Sequence, residues 1–265
     1  MSGTSPPGAR RHRMRDLRKY VTIIRELAIA DFRLKYHDSA LGYIWSMLNP
    51  LLMFVIYYFV FTRIFPSSIA HYPLFLMAGI LNYAFFQDCT FSAMNSLFGK
   101  SHLMKKIYFP KSVIIFASSI TCSISLLINT VVLLLMALLL KGPIPLMVLL
   151  PLPVICLILF SVGMAFILAT LFAYFRDMSQ IWGVLVLVIF WVSPIVFDVD
   201  VLPQAISNFV YFNPLTRIFG LIRHYTIYNY FNLRFLLMTV LYSLAVFAAG
   251  YLIFRRHEDR IAELF

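Results

Sequence analysis

Residues 112–140 read SVIIFASSITCSISLLINTVVLLLMALLL, without a single charged side chain. A helix rises 1.5 Å per residue, and a bilayer core about 30 Å thick takes about 20 apolar residues. The run is long enough to cross. Lipid offers the backbone no hydrogen-bond partner, so a spanning segment is a helix or one strand of a closed barrel. Barrel strands alternate polar and apolar residues over about 10 positions. This run is apolar throughout, so it reads as a helix.

The pattern recurs on both sides. Residues 142–175, 178–197 and 235–254 are uncharged, and the uncharged runs 40–62 and 64–87 flank Arg63. Charged residues make up 12% of the 265, half the share usual in soluble domains. The expectation is an all-α polytopic membrane protein with six transmembrane helices in a domain at 37–254. The spans fall at about 40–64, 73–98, 113–140, a fourth ending near 175, 181–197 and 235–254. Pro73 suits a first helical turn, while Pro151 and Pro153 are expected kink sites.

The remaining segments differ in composition. Residues 1–14, rich in Gly, Pro, Ser and Arg, predict a disordered basic N-terminus. Residues 15–36 predict an amphipathic helix. Leu17, Tyr20, Val21, Ile24, Leu27 and Ala28 share one face, and Arg18, Lys19, Thr22, Arg25, Glu26 and Arg33 the other. Asp31 and Lys35 break the pattern. A basic amphipathic helix ahead of a span is expected to lie in the interface against anionic membrane lipids. Residues 198–233 are too broken to span and too aromatic for a free loop. They predict short re-entrant or interfacial helices before the last span. A basic tail, 255–265, ends the chain.

Six spans place both termini on one side. Of 22 Lys and Arg, 17 then fall on that side, which makes it cytoplasmic by the positive-inside rule. The net charge of +11 is absorbed by this distribution, so no nucleic-acid partner is implied. The segment KSHLMKKIYFPKS, 100–112, is also cytoplasmic and carries four lysines and no acid.

Catalytic patterns are not found. Gly99-Lys100-Ser101 matches the end of a phosphate-binding loop, but Met94 stands where the first Gly is needed and no strand precedes it. ATP hydrolysis is therefore not expected of this chain. The six histidines form no H-x-x-x-H pair, and Cys89, Cys122 and Cys156 lack metal-ligand spacing. No catalytic residue, cofactor or metal site is expected. Asp88 is an acid within an apolar run, expected to bond Gln87, Thr90 or a neighbouring helix, and it is also a candidate site. Tyr43, Trp45, Tyr57, Tyr83, Phe86, Phe190 and Trp191 admit two readings. They are an interfacial belt with packing, or a path whose flat ring faces suit sugar rings.

Five segments in order, RLKYHDSALGYIWSMLNPLL (33–52), LMKKIYFPKS (103–112), FRDMSQI (175–181), SPIVF (193–197) and FNPLT (212–216), resemble the membrane subunit of bacterial ABC-2-type polysaccharide exporters. These move O-antigen, capsule or teichoic acid. The resemblance covers about residues 16–257. The sequence departs from it where His-Asp-Ser follows Lys35-Tyr36, and at Asp88. It implies a homodimer in the bacterial cell (inner) membrane, partnered by two separate ABC ATPase subunits that hold the ATP and Mg. It also implies a glycan cargo on an undecaprenyl-diphosphate-type lipid. Within 100–110 it implies a coupling helix fitting a groove on the ATPase. Leu103, Lys105, Lys106, Tyr108 and Phe109 would make the contact, with Tyr108 and Phe109 as apolar anchors. Arg33 and Lys35 are placed where the diphosphate headgroup arrives. Export of a smaller amphiphile, such as a drug or lipid, and a membrane transferase acting on lipid-linked sugar are the alternatives.

Overall fold

In the computed structural model, which describes residues 7–36, 44–64, 69, 71–106, 109–140 and 145–264, the quoted run is helical from Ser112 to Leu139. Among the described residues every regular element is helical. In chain order these are α1 (Pro7–Tyr36), α2 (Ile44–Phe59), α3 (Tyr72–Gly99), α4 (Ser101–Lys106), α5 (Ser112–Leu139), α6 (Pro151–Tyr174), α7 (Met178–Val192), α8 (Gln204–Val210), α9 (Pro214–Arg223) and α10 (Leu233–Leu264). A π-helical turn, Val60–Ile64, extends α2, and another, His224–Tyr228, follows α9.

Four helices are long and apolar enough to cross a membrane: α3, α5, α6 and α10. The first and fifth expected spans are shorter apolar helices, Leu48–Ile64 and Met178–Val192. The fifth ends before 197 because Pro194 drives Ser193 into an extended conformation, ψ 139°. Pro151 and Pro153 stand near the start of the fourth span, Leu146–Tyr174, where a 3-10 turn, Pro145–Leu149, gives way to α6. Pro151 begins it, where a missing N–H costs nothing. Two further boundaries move outward. Helix α1 begins at Pro7, inside the segment expected to be disordered, through a stretch of Ala, Arg and Met that favours helix. Helix α10 runs on through the basic tail to Leu264.

Helix α3 is the centre, packing on α2, α5, α6, α7 and α9. It buries side chains around its whole circumference, as a helix enclosed by others does. The closest helix pair is α6 with α10. A Cβ built on Gly250 would stand 2.1 Å from the Gly163 carbonyl oxygen, and one on Gly163 would stand 2.6 Å from Phe247 Cα. Backbone touches backbone here, the close approach that small residues allow between membrane helices. The outer faces of α5 and α10 expose Leu127, Val131, Leu135, Leu237, Leu241 and Leu244. Such faces suit lipid.

One end of the bundle gathers the basic segments. Asp31 of α1 pairs with Lys100 just beyond α3, Arg176 lies over the Phe98 ring, and Tyr174 meets His257 edge-on. Glu258 of α10 accepts hydrogen bonds from the Lys111 and Ser112 N–H groups and so caps α5. The adjacent charges in FRDMSQI read from sequence as a local Arg176–Asp177 ion pair at a tight turn, but no such pair forms among the described residues. Arg176 takes the ring face of Phe98 instead.

Candidate functional site

Between α2, α3 and α7 lies a cavity of about 420 Å³, lined by Tyr57, Tyr83 and Phe190 with Gln87, Met53 and Gly183 among its neighbours. Its rings hold one another. Tyr57 stacks on Phe190 at 5.5 Å, and Tyr83 meets Phe190 edge-on at 5.2 Å. The Tyr83 hydroxyl donates to the Val186 carbonyl, tying α3 to α7. Trp191, half-exposed, packs edge-on against Tyr57 and Phe190 at the rim. Phe86 is not on this wall. It is 1% exposed and stacks on Phe160 with Trp182 beside it. One helical turn from Tyr83, it faces the core rather than the cavity, so it is a packing residue. Tyr43 lies outside the described residues. Trp45 is in α2, with its side chain outside them.

A second, smaller cavity of about 170 Å³ adjoins the first and shares Asn49, Pro50 and Ala84 with it. Its other lining is mixed: Lys35, Asp88, Ser125 and Asn129 with Phe85 and Cys122. Lys35 Nζ stands 2.6 Å from Asp88 Oδ2, so the neighbouring helix holds the acid, as one of its sequence readings allowed. The two residues that spoil the amphipathic pattern of α1, Asp31 and Lys35, are therefore the two that form its ion pairs to other elements. The apolar face of α1 packs through Tyr20, Ile23, Ile24, Leu27 and buried Ala28. Thr121 of α5 donates to the Ala28 carbonyl at 3.1 Å. Val21, expected on that face, is 63% exposed and Ile23 replaces it. Arg33 is exposed on the same last turn as Lys35.

In the segment at 100–110, Leu103 is half-buried in α4. Lys105 and Lys106 are helical there, with side chains outside the described residues, as is all of Tyr108. Phe109 corrects an expectation. It is 5% exposed and packed into the core, so it anchors the segment to its own bundle rather than to a partner. At 110 the chain must turn back into α5, and that turn points the ring inward.

This geometry is a helical membrane body with an aromatic cavity opening beside a charged one, and no cluster of metal-binding side chains among the described residues. The sequence matches the ABC-2 type transporter family over residues 22–227, most of the chain and all the elements that build both cavities. It belongs to the ABC-2 type transporter family. Relatives of this ABC-2 type chain include an O-antigen export system permease protein RfbA of Klebsiella pneumoniae. That protein is 27% identical over 237 residues, which span 88% of this chain and 91% of the relative. A protein of the same name in Myxococcus xanthus is 26% identical over 208 residues, 76% of this chain and 79% of its own. The chain is thus a multi-pass membrane protein of a transport family.

The short segments quoted from this ABC-2 type sequence acquire structural roles. In FNPLT, Asn213 caps α9 by accepting from the Leu215 N–H at 3.0 Å, and Pro214 takes the first turn. The Asn213 amide also donates to Ser193 Oγ at 2.9 Å, joining α9 to the end of α7. In SPIVF, the carbonyls of Pro194 and Ile195 accept from Arg223 at 2.6 and 3.0 Å. Arg223 is 4% exposed, and its guanidinium lies 3.4 Å from the Phe75 ring centre. Burial pulls its pKa down to about 9, opposed by the nearby Asp198 carboxylate, so it stays charged near pH 7. Sequence reasoning counted Arg223 only as one cation on the outer side. Its staple role depends on a carbonyl cluster created where Pro194 ends α7, and no local pattern announces that. Asn49, Gln87, Ser125 and Asn129 were missed too. Single polar residues inside apolar runs are the signal that could have found them.

Proposed function

We propose that this chain is the membrane-spanning subunit of an ATP-driven exporter that moves a lipid-linked polysaccharide outward across a bacterial cell membrane. The observation that carries this is a pair of adjoining cavities, one between α2, α3 and α7 and the other between α1, α2, α3 and α5. A chamber holding the Lys35–Asp88 pair opens beside a chamber walled by aromatic rings. A phosphate group favours cations, and ring faces favour the C–H faces of sugars. The O-antigen export relatives make polysaccharide the preferred cargo over a smaller amphiphile.

In this reading α2 and α7 complete six spans, both termini are cytoplasmic, and two copies pair in the inner membrane with two ABC ATPase subunits. The ATPases carry ATP and Mg and push on α4 through Leu103, Lys105, Lys106 and Tyr108. Phe109, packed inward, transmits that push to α5. Arg33, exposed, meets the diphosphate first, and Lys35 receives it in exchange for Asp88. Tyr57, Tyr83 and Phe190, with Trp191 at the rim, line the glycan path.

Deleting the gene and locating the polymer tests the assignment. Lipid-linked polysaccharide accumulating on the cytoplasmic side is the expected result. Loss of polymer synthesis would mean a transferase instead. Polymer still reaching the surface in normal amounts would remove the exporter reading.

A further inference from the structure

At the end of the bundle opposite α4 lies a third cavity, of about 360 Å³, lined by Arg217, Asn232, Arg234, Phe235, Met238 and Tyr242. Two arginines share this space and no carboxylate lines it. Among the described residues neither arginine has an ion-pair partner. Arg217 is held in place. Its guanidinium lies 5.6 Å from the Phe235 ring centre and 5.3 Å from that of Tyr242, and its Nε donates to the Tyr211 carbonyl at 2.8 Å. That leaves the outer edge of its planar fork for another acceptor. Arg234 is exposed in the first turn of α10, where the helix dipole already places positive charge. Asn232 caps that turn by accepting from the Phe235 N–H at 3.1 Å.

Two guanidinium groups beside a helix N-terminus repel one another. The arrangement is favourable once an anion with several acceptor oxygens sits between them, and phosphate matches the geometry of the arginine fork. The apolar surroundings identify the kind of phosphate. Below the arginines, α10 presents Met238 and exposed Leu237 and Leu241 on a face suited to lipid. Tyr242 stands two turns further along. A charged group at the helix start, with apolar side chains running down the helix from it, has the layout of a phospholipid.

We propose that this cavity binds the phosphate headgroup of an anionic bilayer phospholipid, its acyl chains lying along α10. The site is separate from the two cavities beside α2 and α3 and does not depend on the cargo. With both termini cytoplasmic, as proposed above, this end of the bundle meets the outer leaflet, and only that placement rests on the proposed orientation. The test is native mass spectrometry of the full chain, titrated with phosphatidylglycerol, phosphatidylcholine or inorganic phosphate. Wild type is expected to take up phosphatidylglycerol ahead of phosphatidylcholine, with inorganic phosphate failing to displace it. Because Arg217 also packs between two rings, the informative variant is the exposed one. Arg234→Gln should weaken the tightest phosphatidylglycerol step about tenfold or more, the share of one charge-assisted hydrogen bond. Arg63→Gln, an exposed arginine outside the cavity lining, should leave it unchanged. Equal binding by Arg234→Gln and wild type overturns the proposal. So does displacement by inorganic phosphate, which would mark a free-anion site.

Discussion

Replacing Gly250 with alanine puts a methyl carbon 2.1 Å from the Gly163 carbonyl oxygen and 2.9 Å from its carbon. Ordinary contact begins at 3.4 Å, so α6 and α10 must separate by a little over 1 Å. Neither side can yield by a rotamer change, because the obstructing atoms are backbone. A gap of 0.5–1 Å already forfeits about a quarter to half of each dispersion contact it opens, and α6–α10 is the most extensive helix contact in the molecule. Overpacking of this kind costs about 1–3 kcal/mol, and the backbone clash puts Gly250→Ala at the upper end. At about 2–4 °C per kcal/mol for a chain of this size, detergent-solubilised protein should unfold about 6–12 °C below wild type. The assay is thermal unfolding followed by size-exclusion recovery. Gly99→Ala is the internal control, since nothing lies within 4 Å of its added Cβ. If Gly250→Ala melts with Gly99→Ala, the α6–α10 packing described here is wrong.

Arg223→Gln removes the hydrogen bonds to Pro194, Ile195 and Phe75 and leaves buried carbonyls unpaired. It should cost about 3 kcal/mol or more, read as lost yield of monodisperse protein, and recovery equal to wild type would contradict the staple role. Asp88→Asn should cost about 1 kcal/mol or less in stability, because both side chains of the Lys35 pair are about a third exposed. A double-mutant cycle with Lys35→Met checks this, and coupling well above 1 kcal/mol would contradict it. Glu258→Ala uncaps α5 and should cost about 1 kcal/mol, with faster hydrogen exchange at Lys111 and Ser112 as its signature. Tyr83→Phe loses the link to Val186 but keeps the ring. Export should fall modestly, whereas Tyr83→Ala should abolish it if the ring lines the path, so equal export by the two variants would refute that role.

Much of the architecture was legible because lipid imposes one rule, internal satisfaction of the backbone, and that rule shows as charge-free runs. The starts of α3 and α5 fall within a residue of where charge and proline place them. The ends are harder. Pro194 stops α7 through its effect on Ser193, and α10 runs past the last apolar residue because Arg255, Arg256 and Glu258 are adequate helix formers and Glu258 is held by the start of α5. The aromatic site was half legible. Ring content marks Tyr83 and Phe86 alike, and they lie one turn apart on α3 with 6.1 Å between ring centres, so only the positions of α6 and α7 decide which ring meets a cavity and which meets the core.

By itself the sequence determined the helical class, the segments that can cross a membrane, and the clustering of basic residues at one end. These follow from hydropathy and charge, which act locally along the chain. Tertiary structure alone decided that Lys35 meets Asp88, that Arg223 fastens the end of α7, that Phe109 turns inward, and that Gly163 lies against Gly250. Each of these depends on the distance and rotation between helices far apart in sequence. Uniformly apolar surfaces carry no local pattern that specifies them.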